Sequence, residues 1–97
     1  MAYVVAAVWK AKRDEEERVL AVIKTMTPLS RAEPKNLFYQ GHVSGKDRST
    51  FFLYEQYRDA SGYEEHKASK HFQDHVAGYI LGYLEARNVD IYETIDV

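Results

Sequence analysis

Cysteine is absent from the 97 residues of this chain. This absence excludes a disulfide framework, a thiolate nucleophile and any cysteine-ligated zinc site. No apolar run approaches the roughly 20 residues of a membrane-spanning helix, and the opening segment MAYVVAAVWKAK lacks the basic start of a signal peptide. We therefore expect a cytoplasmic protein without a membrane partner.

A surplus of basic residues is also lacking, because 13 Lys and Arg stand against 15 Asp and Glu, for a net charge of −2. Nucleic-acid binding needs clustered basic side chains, so this composition argues against a nucleic-acid partner. Hydrophobic residues reach 45%, which is enough for a core, and the length predicts one domain over residues 1–97. Since so small a domain leaves apolar surface uncovered, we expect it to associate.

The hydrophobic pattern predicts an α+β fold with the order βαββαβ, the split βαβ arrangement. The first helix is expected to begin with a capping-box-like pair, Asp14 and Glu17, and to be interrupted at Pro28. Asp59 or Ser61 is expected to cap the second helix, which resumes as a longer helix over residues 71–86. The strands are predicted at residues 3–12, 36–44, 49–58 and 89–95.

The third predicted strand, which contains FFLYEQYR, has apolar or aromatic side chains on both faces. In a strand, successive side chains point to opposite faces of the sheet, so both faces of this one need cover. Helices can cover one face. We expect a second sheet, from another subunit, to cover the other.

His66 is a candidate for acid–base chemistry, because it follows Tyr57 and Tyr63 at a predicted strand-to-helix junction and histidine titrates near neutral pH. The alternative is a histidine that only packs the corner. His71 and His75 lie one helical turn apart and suggest a metal pair, but the pattern supplies no third ligand and no HExxH motif. We therefore predict no metal site.

Glu55 lies on the same face of the third strand as Tyr57. A carboxylate among aromatic side chains is costly unless it has a partner. It either orients a histidine or a substrate hydroxyl, or it forms a structural ion pair for which Arg31 is a candidate, and we slightly favour the ion pair. Tyr57 and Tyr63 either donate hydrogen bonds to a bound phenol or quinone or only fill the core.

Five segments occur in an order and spacing that resemble one known family: VVAAVW, SRAEPKNLFY, FFLYEQYRD, EEHKASKHF and DIYET. They resemble the antibiotic biosynthesis monooxygenase domain family, which includes quinol monooxygenases. The resemblance implies a ferredoxin-like βαββαβ domain whose antiparallel sheet packs on that of a second subunit as a dimeric α+β barrel. It also implies a hydrophobic pocket between sheet and helices, and oxygenation by dioxygen without flavin, haem or metal.

The resemblance also implies roles for individual residues. His66 begins the family pattern H-x-x-S-x-H-F and is expected to act as base or proton shuttle, while Tyr63 and Tyr57 orient the substrate as the other catalytic residues. Leu53 replaces an asparagine that contacts substrate in polyketide-oxidising members, which disfavours anthrone-type substrates. The expected substrate-binding residues are Trp9, Leu53, Glu55, Phe72 and His71.

We therefore predict a homodimeric, cofactor-independent monooxygenase that oxidises a small hydroxylated aromatic substrate, of the quinol type, with dioxygen. One alternative is an isomerase or degradation enzyme for a small phosphorylated signalling sugar, which requires Arg31, Lys35 and Arg58 to face the pocket. Another alternative is a ligand-binding dimer without turnover.

Overall fold

A four-stranded antiparallel sheet forms the centre of the computed structural model, which describes residues 1–96. The strand order across the sheet is β2-β3-β1-β4, and the elements follow one another along the chain as βαββαβ. The predicted ferredoxin-like fold is therefore confirmed. The strands are β1 Tyr3–Ala11, β2 Asn36–Val43, β3 Thr50–Tyr57 and β4 Leu84–Glu93.

Two helical segments connect the strands. Helix α1 covers Glu16–Arg31 and helix α2 covers Ala60–Ala68. A short helix, α3, covers Lys70–Phe72 and runs directly into a turn of π-helix at Gln73–Ala77. A 3₁₀ helix at Ile80–Tyr83 then leads into β4.

The hydrophobic core lies between α1 and one face of the sheet, which we call the inner face. On α1, Val19, Val22, Ile23 and Met26 recur at helical spacing and are buried. On β1, the alternate residues Ala7, Trp9 and Ala11 pack with them, while Val5, on the same face, packs with Tyr57 and Tyr63. Helix and strand thus each bury the face that their own periodicity makes apolar.

Both ends of α1 differ from the prediction. Asp14 has a φ of +67° and lies in a turn, while the helix begins at Glu16 without a side-chain cap. Aspartate tolerates this left-handed conformation, so Asp14 serves the turn instead of the helix. Pro28 does not interrupt α1 but lies within it. Proline has no backbone N–H, so α1 lacks only the hydrogen bond that an amide at this position would donate to the carbonyl of Lys24. The amide of Ala32 still donates to the carbonyl of Pro28.

The predicted helix over residues 71–86 is not one continuous helix, since a break separates Lys70–Phe72 and Gln73–Ala77 from the 3₁₀ helix Ile80–Tyr83. The first stretch ends near Ala77, where the amide of Gly78 donates to the carbonyl of Gln73 over 2.8 Å. A Cβ atom on Gly78 would lie 2.7 Å from that carbonyl oxygen, so this tight ending depends on glycine. Strand β4 begins at Leu84, not at residue 89, because its full length pairs with β1. Backbone pairing in the sheet therefore outweighs a local helical pattern.

The other face of the sheet, the outer face, carries exposed apolar side chains. Val8, Phe38, Phe52 and Tyr92 are 39%, 46%, 36% and 57% exposed. Tyr54 joins this group through ring contacts of 5.7 Å with Phe38 and 6.4 Å with Phe52. Aromatic side chains thus occupy both faces of β3, as predicted, and the helices cover only the inner one.

No helix within residues 1–96 is both long enough and apolar enough to cross a membrane.

Candidate active site

Helix α2 begins directly after β3 and lies tightly against the end of that strand. The Asp59 carboxylate accepts from the amides of Ser61, at 2.9 Å, and Gly62, at 3.3 Å, which confirms the predicted cap. A Cβ atom on Gly62 would lie 2.9 Å from the Cβ of Lys35 and 3.0 Å from that of Tyr57. This close approach places the next turn of α2, which carries His66, over the inner face.

The imidazole of His66 is held between two carboxylates. Its side chain is 2% exposed, and its Nδ1 lies 2.7 Å from Oε2 of Glu33. Its Nε2 lies 3.8 Å from Oε1 of Glu55. Because a carboxylate only accepts hydrogen bonds, we assign the proton of the neutral imidazole to Nδ1. The lone pair of Nε2 is then free to accept a proton.

Glu33 joins two histidines through a single oxygen atom. Its Oε2 accepts from Nδ1 of His66 and from Nε2 of His71, which lies 2.6 Å away. Its Oε1 is buried and has no hydrogen-bond partner within residues 1–96. Glu33 lies in the turn after α1, and sequence reasoning gave it no role at the site. The only local signal is an acidic residue before Pro34 in the segment SRAEPKNLFY.

Glu55 has a hydrogen-bond donor, but not the one predicted. The hydroxyl of Tyr57 donates to Oε1 of Glu55 over 2.6 Å, whereas Arg31 donates to the backbone carbonyl of Tyr39. Arg31 is therefore not the partner of Glu55, since α1 directs the guanidinium along β2, whereas Nε2 of His66 lies 3.8 Å from Oε1 of Glu55. Burial raises the pKa of the Glu55 carboxyl, although the nearby His66 opposes this shift. Glu55 is thus a buried acid whose proton is bound more tightly than usual.

The tyrosine hydroxyls near His66 remain protonated. Burial raises the pKa of Tyr57 far above its ordinary value, and the neighbouring Glu55 adds to this shift. Burial raises the pKa of Tyr63 as well, and Glu55 again adds to the shift. Both hydroxyls are therefore available as hydrogen-bond donors at neutral pH and do not act as bases there.

Aromatic rings surround the imidazole of His66. The ring of Tyr63 stacks on it at a centroid distance of 6.3 Å and an angle of 18°. Phe72 meets it edge-on at 5.2 Å, and Tyr39 and Tyr57 lie 5.9 Å and 5.7 Å away. These rings exclude water from the imidazole, which strengthens its electrostatic interactions.

The structure brings together six of the eight predicted site residues: His66, His71, Tyr57, Tyr63, Glu55 and Phe72. Leu53 lies two residues before Glu55 on the same face of β3 and is fully buried. Trp9 is more distant, since it pairs with Phe51. Four residues of strand, about 13 Å, separate that pair from the position of Glu55.

The predicted pocket at this junction is filled by side chains. An apolar cleft lies instead between α1 and β2. Its volume is about 250 Å³, and its lining includes Ile23, Gly41 and Phe51. His66 does not line this cleft. The imidazole is 2% exposed, as a catalytic base in a dry site requires, and it is enclosed by neighbouring side chains.

The three cations that a phosphorylated sugar would need do not face His66. Arg31 binds the carbonyl of Tyr39, as described above, and Lys35 donates to Glu65 over 2.9 Å. Arg58 is exposed. The phosphorylated-sugar alternative therefore loses the feature on which it depended.

The predicted histidine pair does not form the closest group of metal-ligating atoms. His75 instead lines a cleft against α1. The potential ligand atoms of Glu33, His66 and His71 all lie within 4.8 Å of one another. This group contains His71 but not His75, and its carboxylate comes from the turn after α1.

Comparisons with known proteins identify the family of this fold. The sequence profile described as antibiotic biosynthesis monooxygenase matches residues 1–78. The chain is similar to PA3566 of Pseudomonas aeruginosa, with a TM-score of 0.92, 23% identity and coverage of 98% of this chain and 95% of that one. Rv0793 of Mycobacterium tuberculosis gives a TM-score of 0.91 at 21% identity, over 100% and 98% of the two chains.

A third solved structure is a protein of Nitrosomonas europaea, provisionally assigned as an antibiotic biosynthesis monooxygenase. It gives a TM-score of 0.91 at 24% identity, over 97% of this chain and 90% of that one. No curated protein matches the sequence significantly. All three structural likenesses lie below 25% identity and therefore bear on the fold alone.

Proposed function

The chain belongs to the antibiotic biosynthesis monooxygenase family, and we propose that it is a cofactor-independent monooxygenase that oxidises a small hydroxylated aromatic, of the quinol type, with dioxygen. One observation carries this proposal. A buried imidazole, His66, is bound through Nδ1 by the carboxylate of Glu33, so that Nε2 is available as a base among aromatic rings.

In the proposed reaction the substrate itself is the reductant. Nε2 of His66 accepts the hydroxyl proton of the quinol, and the resulting anion transfers one electron to dioxygen. Recombination of the two radicals forms a C–O bond on the ring, after which the O–O bond breaks and water leaves with the ring proton. One oxygen atom thus enters the product and the other becomes water, so hydroquinone and dioxygen yield hydroxyquinone and water.

The protein supports this chemistry with charge and hydrogen bonds. The carboxylate of Glu33 stabilises the imidazolium that forms when His66 accepts the proton. In the proposal the hydroxyl of Tyr63 donates to the developing substrate anion, while that of Tyr57 holds Glu55 in place. The aromatic rings keep water away from the reacting groups.

Substrate entry requires side-chain movement. Tyr63 and Phe72 cover the imidazole, so we propose that they separate to admit a substrate ring and close over it. His71 and Glu55 lie at the edge of the same space, and Leu53 follows two residues from Glu55 on β3. Trp9, on β1 beside Phe51, would contact only a substrate that extends along the sheet. Motion of this kind fits a site whose walls are side chains and not backbone.

We also propose that residues 1–97 form one domain that works as a homodimer. The sheet has helices on its inner face only, and Val8, Phe38 and Phe52 leave an apolar surface on the outer face. Soluble monomers rarely expose connected apolar patches without a partner. A second sheet packed on the first would cover this face, as in the dimeric barrel that the family resemblance implies.

Light scattering after gel filtration tests the dimer. Phe52→Glu places a charge in the apolar outer face, whereas Ala21→Glu adds the same charge on the exposed side of α1. We expect wild type and Ala21→Glu to have the mass of a dimer, and Phe52→Glu to have that of a monomer. A wild-type monomer at micromolar concentration would refute the proposed assembly.

Oxygen uptake with a panel of hydroquinones and naphthols tests the reaction. We expect wild-type turnover above the protein-free rate, and a loss of about 100-fold or more in His66→Ala, the low end of what general-base catalysis contributes. Tyr63→Phe should lose less, because it removes one hydrogen bond. His75→Ala, which changes a histidine outside the cluster, serves as the control.

Equal turnover in all variants would refute the assignment of the site. Tight binding of the aromatic compounds without oxygen uptake would favour a ligand-binding protein.

A further inference from the structure

A carboxylate and two imidazoles meet at the turn between α1 and the helices that follow β3. The ligating atoms are Oε2 of Glu33, Nδ1 of His66 and Nε2 of His71, and all three lie within 4.8 Å of one another. We propose that these three side chains bind a divalent first-row transition-metal ion such as Zn²⁺. The site goes beyond the proposed oxygenase, which uses no metal.

The distances suit a metal ion with little rearrangement. Oε2 of Glu33 now lies 2.7 Å and 2.6 Å from the two nitrogen atoms. A tetrahedral ion with bonds of about 2.0–2.1 Å holds neighbouring ligand atoms about 3.3 Å apart. Each oxygen–nitrogen pair must therefore separate by less than about 1 Å, and the two nitrogen atoms, which lie within 4.8 Å of each other, must end at about the same 3.3 Å. Small rotations of the side chains provide both movements.

A carboxylate also lies near the position that a supporting hydrogen bond requires, about 1 Å beyond hydrogen-bond distance. When Nδ1 of His66 binds a metal, the ring proton moves to Nε2, which lies 3.8 Å from Oε1 of Glu55. Metal-binding histidines commonly donate their second N–H to a carboxylate, and this bond orients the ring. Tyr57 in turn donates to Glu55 and holds it in position. This supporting group is independent of the three ligands.

Oε1 of Glu33 provides a further observation. It is buried without a partner within residues 1–96, although buried carboxylate oxygens are normally hydrogen-bonded. A metal ion bound by Oε2 would lie next to it and would compensate its charge. Such an ion would account for the unpaired oxygen.

Exposure and donor type indicate which ions can enter. The side chains of His71 and Glu33 are 19% and 11% exposed, so an ion can arrive from their side while His66 stays buried. Two nitrogen donors and one carboxylate suit Zn²⁺, Co²⁺, Ni²⁺ and Cu²⁺, whereas Ca²⁺ and Mg²⁺ prefer oxygen ligands alone. A fourth coordination position is left for water.

A bound metal would also change the acid–base state of His66. With the metal on Nδ1, Nε2 carries the proton and cannot accept another. The metal-loaded protein would therefore not deprotonate a quinol, a consequence that rests on the proposed function. Metal binding itself does not depend on it.

Titration of EDTA-treated protein with Co²⁺, followed by visible absorption, tests the site without any substrate. We expect one Co²⁺ per chain, a spectrum of low coordination number, and displacement by Zn²⁺ but not by Mg²⁺. His71→Gln and Glu33→Gln should each weaken binding at least 100-fold. Glu55→Gln keeps all three ligands and should weaken it about 10–100-fold, as is typical when a supporting partner is lost.

His75→Gln is the matched control, because it changes a histidine that lies four residues after His71 but outside the cluster. It should bind Co²⁺ like wild type. Absence of Co²⁺ binding by folded wild-type protein would overturn the proposal, as would an equal loss in His75→Gln and His71→Gln, which would assign the ion to that histidine pair. The melting temperature of each metal-free variant shows that it folds. Oxygen uptake by metal-free protein is measured separately, so failure of the metal site and failure of the oxygenase are distinguishable.

Discussion

Replacing Glu33 by glutamine tests the group that holds the proposed base. The amide oxygen of Glu33→Gln can still accept from His66 and His71, so the shape of the site is kept while its charge is lost. A hydrogen bond to a charged group contributes about 1.5–3 kcal/mol, and a neutral one about 0.5–1.5 kcal/mol. Over two bonds the free energy of unfolding should therefore fall by about 2–3 kcal/mol. For a chain of this length that corresponds to a melting temperature lower by about 10–20 °C.

Calorimetry and oxygen uptake measure the two expected effects of Glu33→Gln. Turnover should fall about 100-fold when assayed well below the melting temperature of the variant, because His66 loses the charge that stabilises its protonated form. Glu65→Gln is the matched control, since the Lys35–Glu65 ion pair is largely exposed and exposed pairs contribute little. If Glu33→Gln and Glu65→Gln have equal melting temperatures and equal turnover, Glu33 does not hold a catalytic base.

Two further predictions concern stability. Because burial raises the pKa of Glu55 above its usual 4.5, the folded protein binds this proton more tightly than the unfolded chain does. The resulting stabilisation is complete below pH 4.5 and is lost as pH rises through the pKa of the folded protein. The free energy of unfolding, measured with urea, should therefore decline more steeply with pH in wild type than in Glu55→Gln. If the free energies of the two proteins change in parallel with pH, the assigned pKa shift is contradicted. Gly62→Ala should lower the free energy of unfolding by about 1 kcal/mol or more, because its Cβ would overlap Lys35 and Tyr57. Gly82→Ala should leave the free energy of unfolding unchanged, because the space around Gly82 is open. Equal effects of Gly62→Ala and Gly82→Ala would refute the close packing of α2 on β3.

The sequence carried enough information for the order of the elements and for several of their ends. Short apolar runs rich in valine and aromatic residues marked β1 and β3, and Asp59 marked the start of α2, because strand composition and helix capping are local properties. The end of the second helical segment was predicted wrongly. Pairing of β4 with β1 decides it, and residues 84–93 lie about 80 positions away from their partners in the chain.

The site was predictable only in part, for the same reason. The pattern from Tyr63 to Phe72 indicated the aromatic and histidine cluster, since its members lie close together in sequence. Glu33 was missed because it is 33 residues from His66 and 38 residues from His71, and no local pattern reports such contacts. The closed junction could not be foreseen either, because it depends on how the side chains pack around His66.

The most direct test of the account is anaerobic mixing of the protein with a naphthol whose phenolate absorbs at longer wavelength than the neutral phenol. The proposed mechanism predicts that wild type produces the phenolate spectrum without oxygen, that His66→Ala does not, and that admitting oxygen then converts the bound anion to a quinone. Quinone formed in the absence of oxygen, or the same phenolate spectrum in His66→Ala, would contradict the claim that a buried imidazole removes a proton from a bound ring.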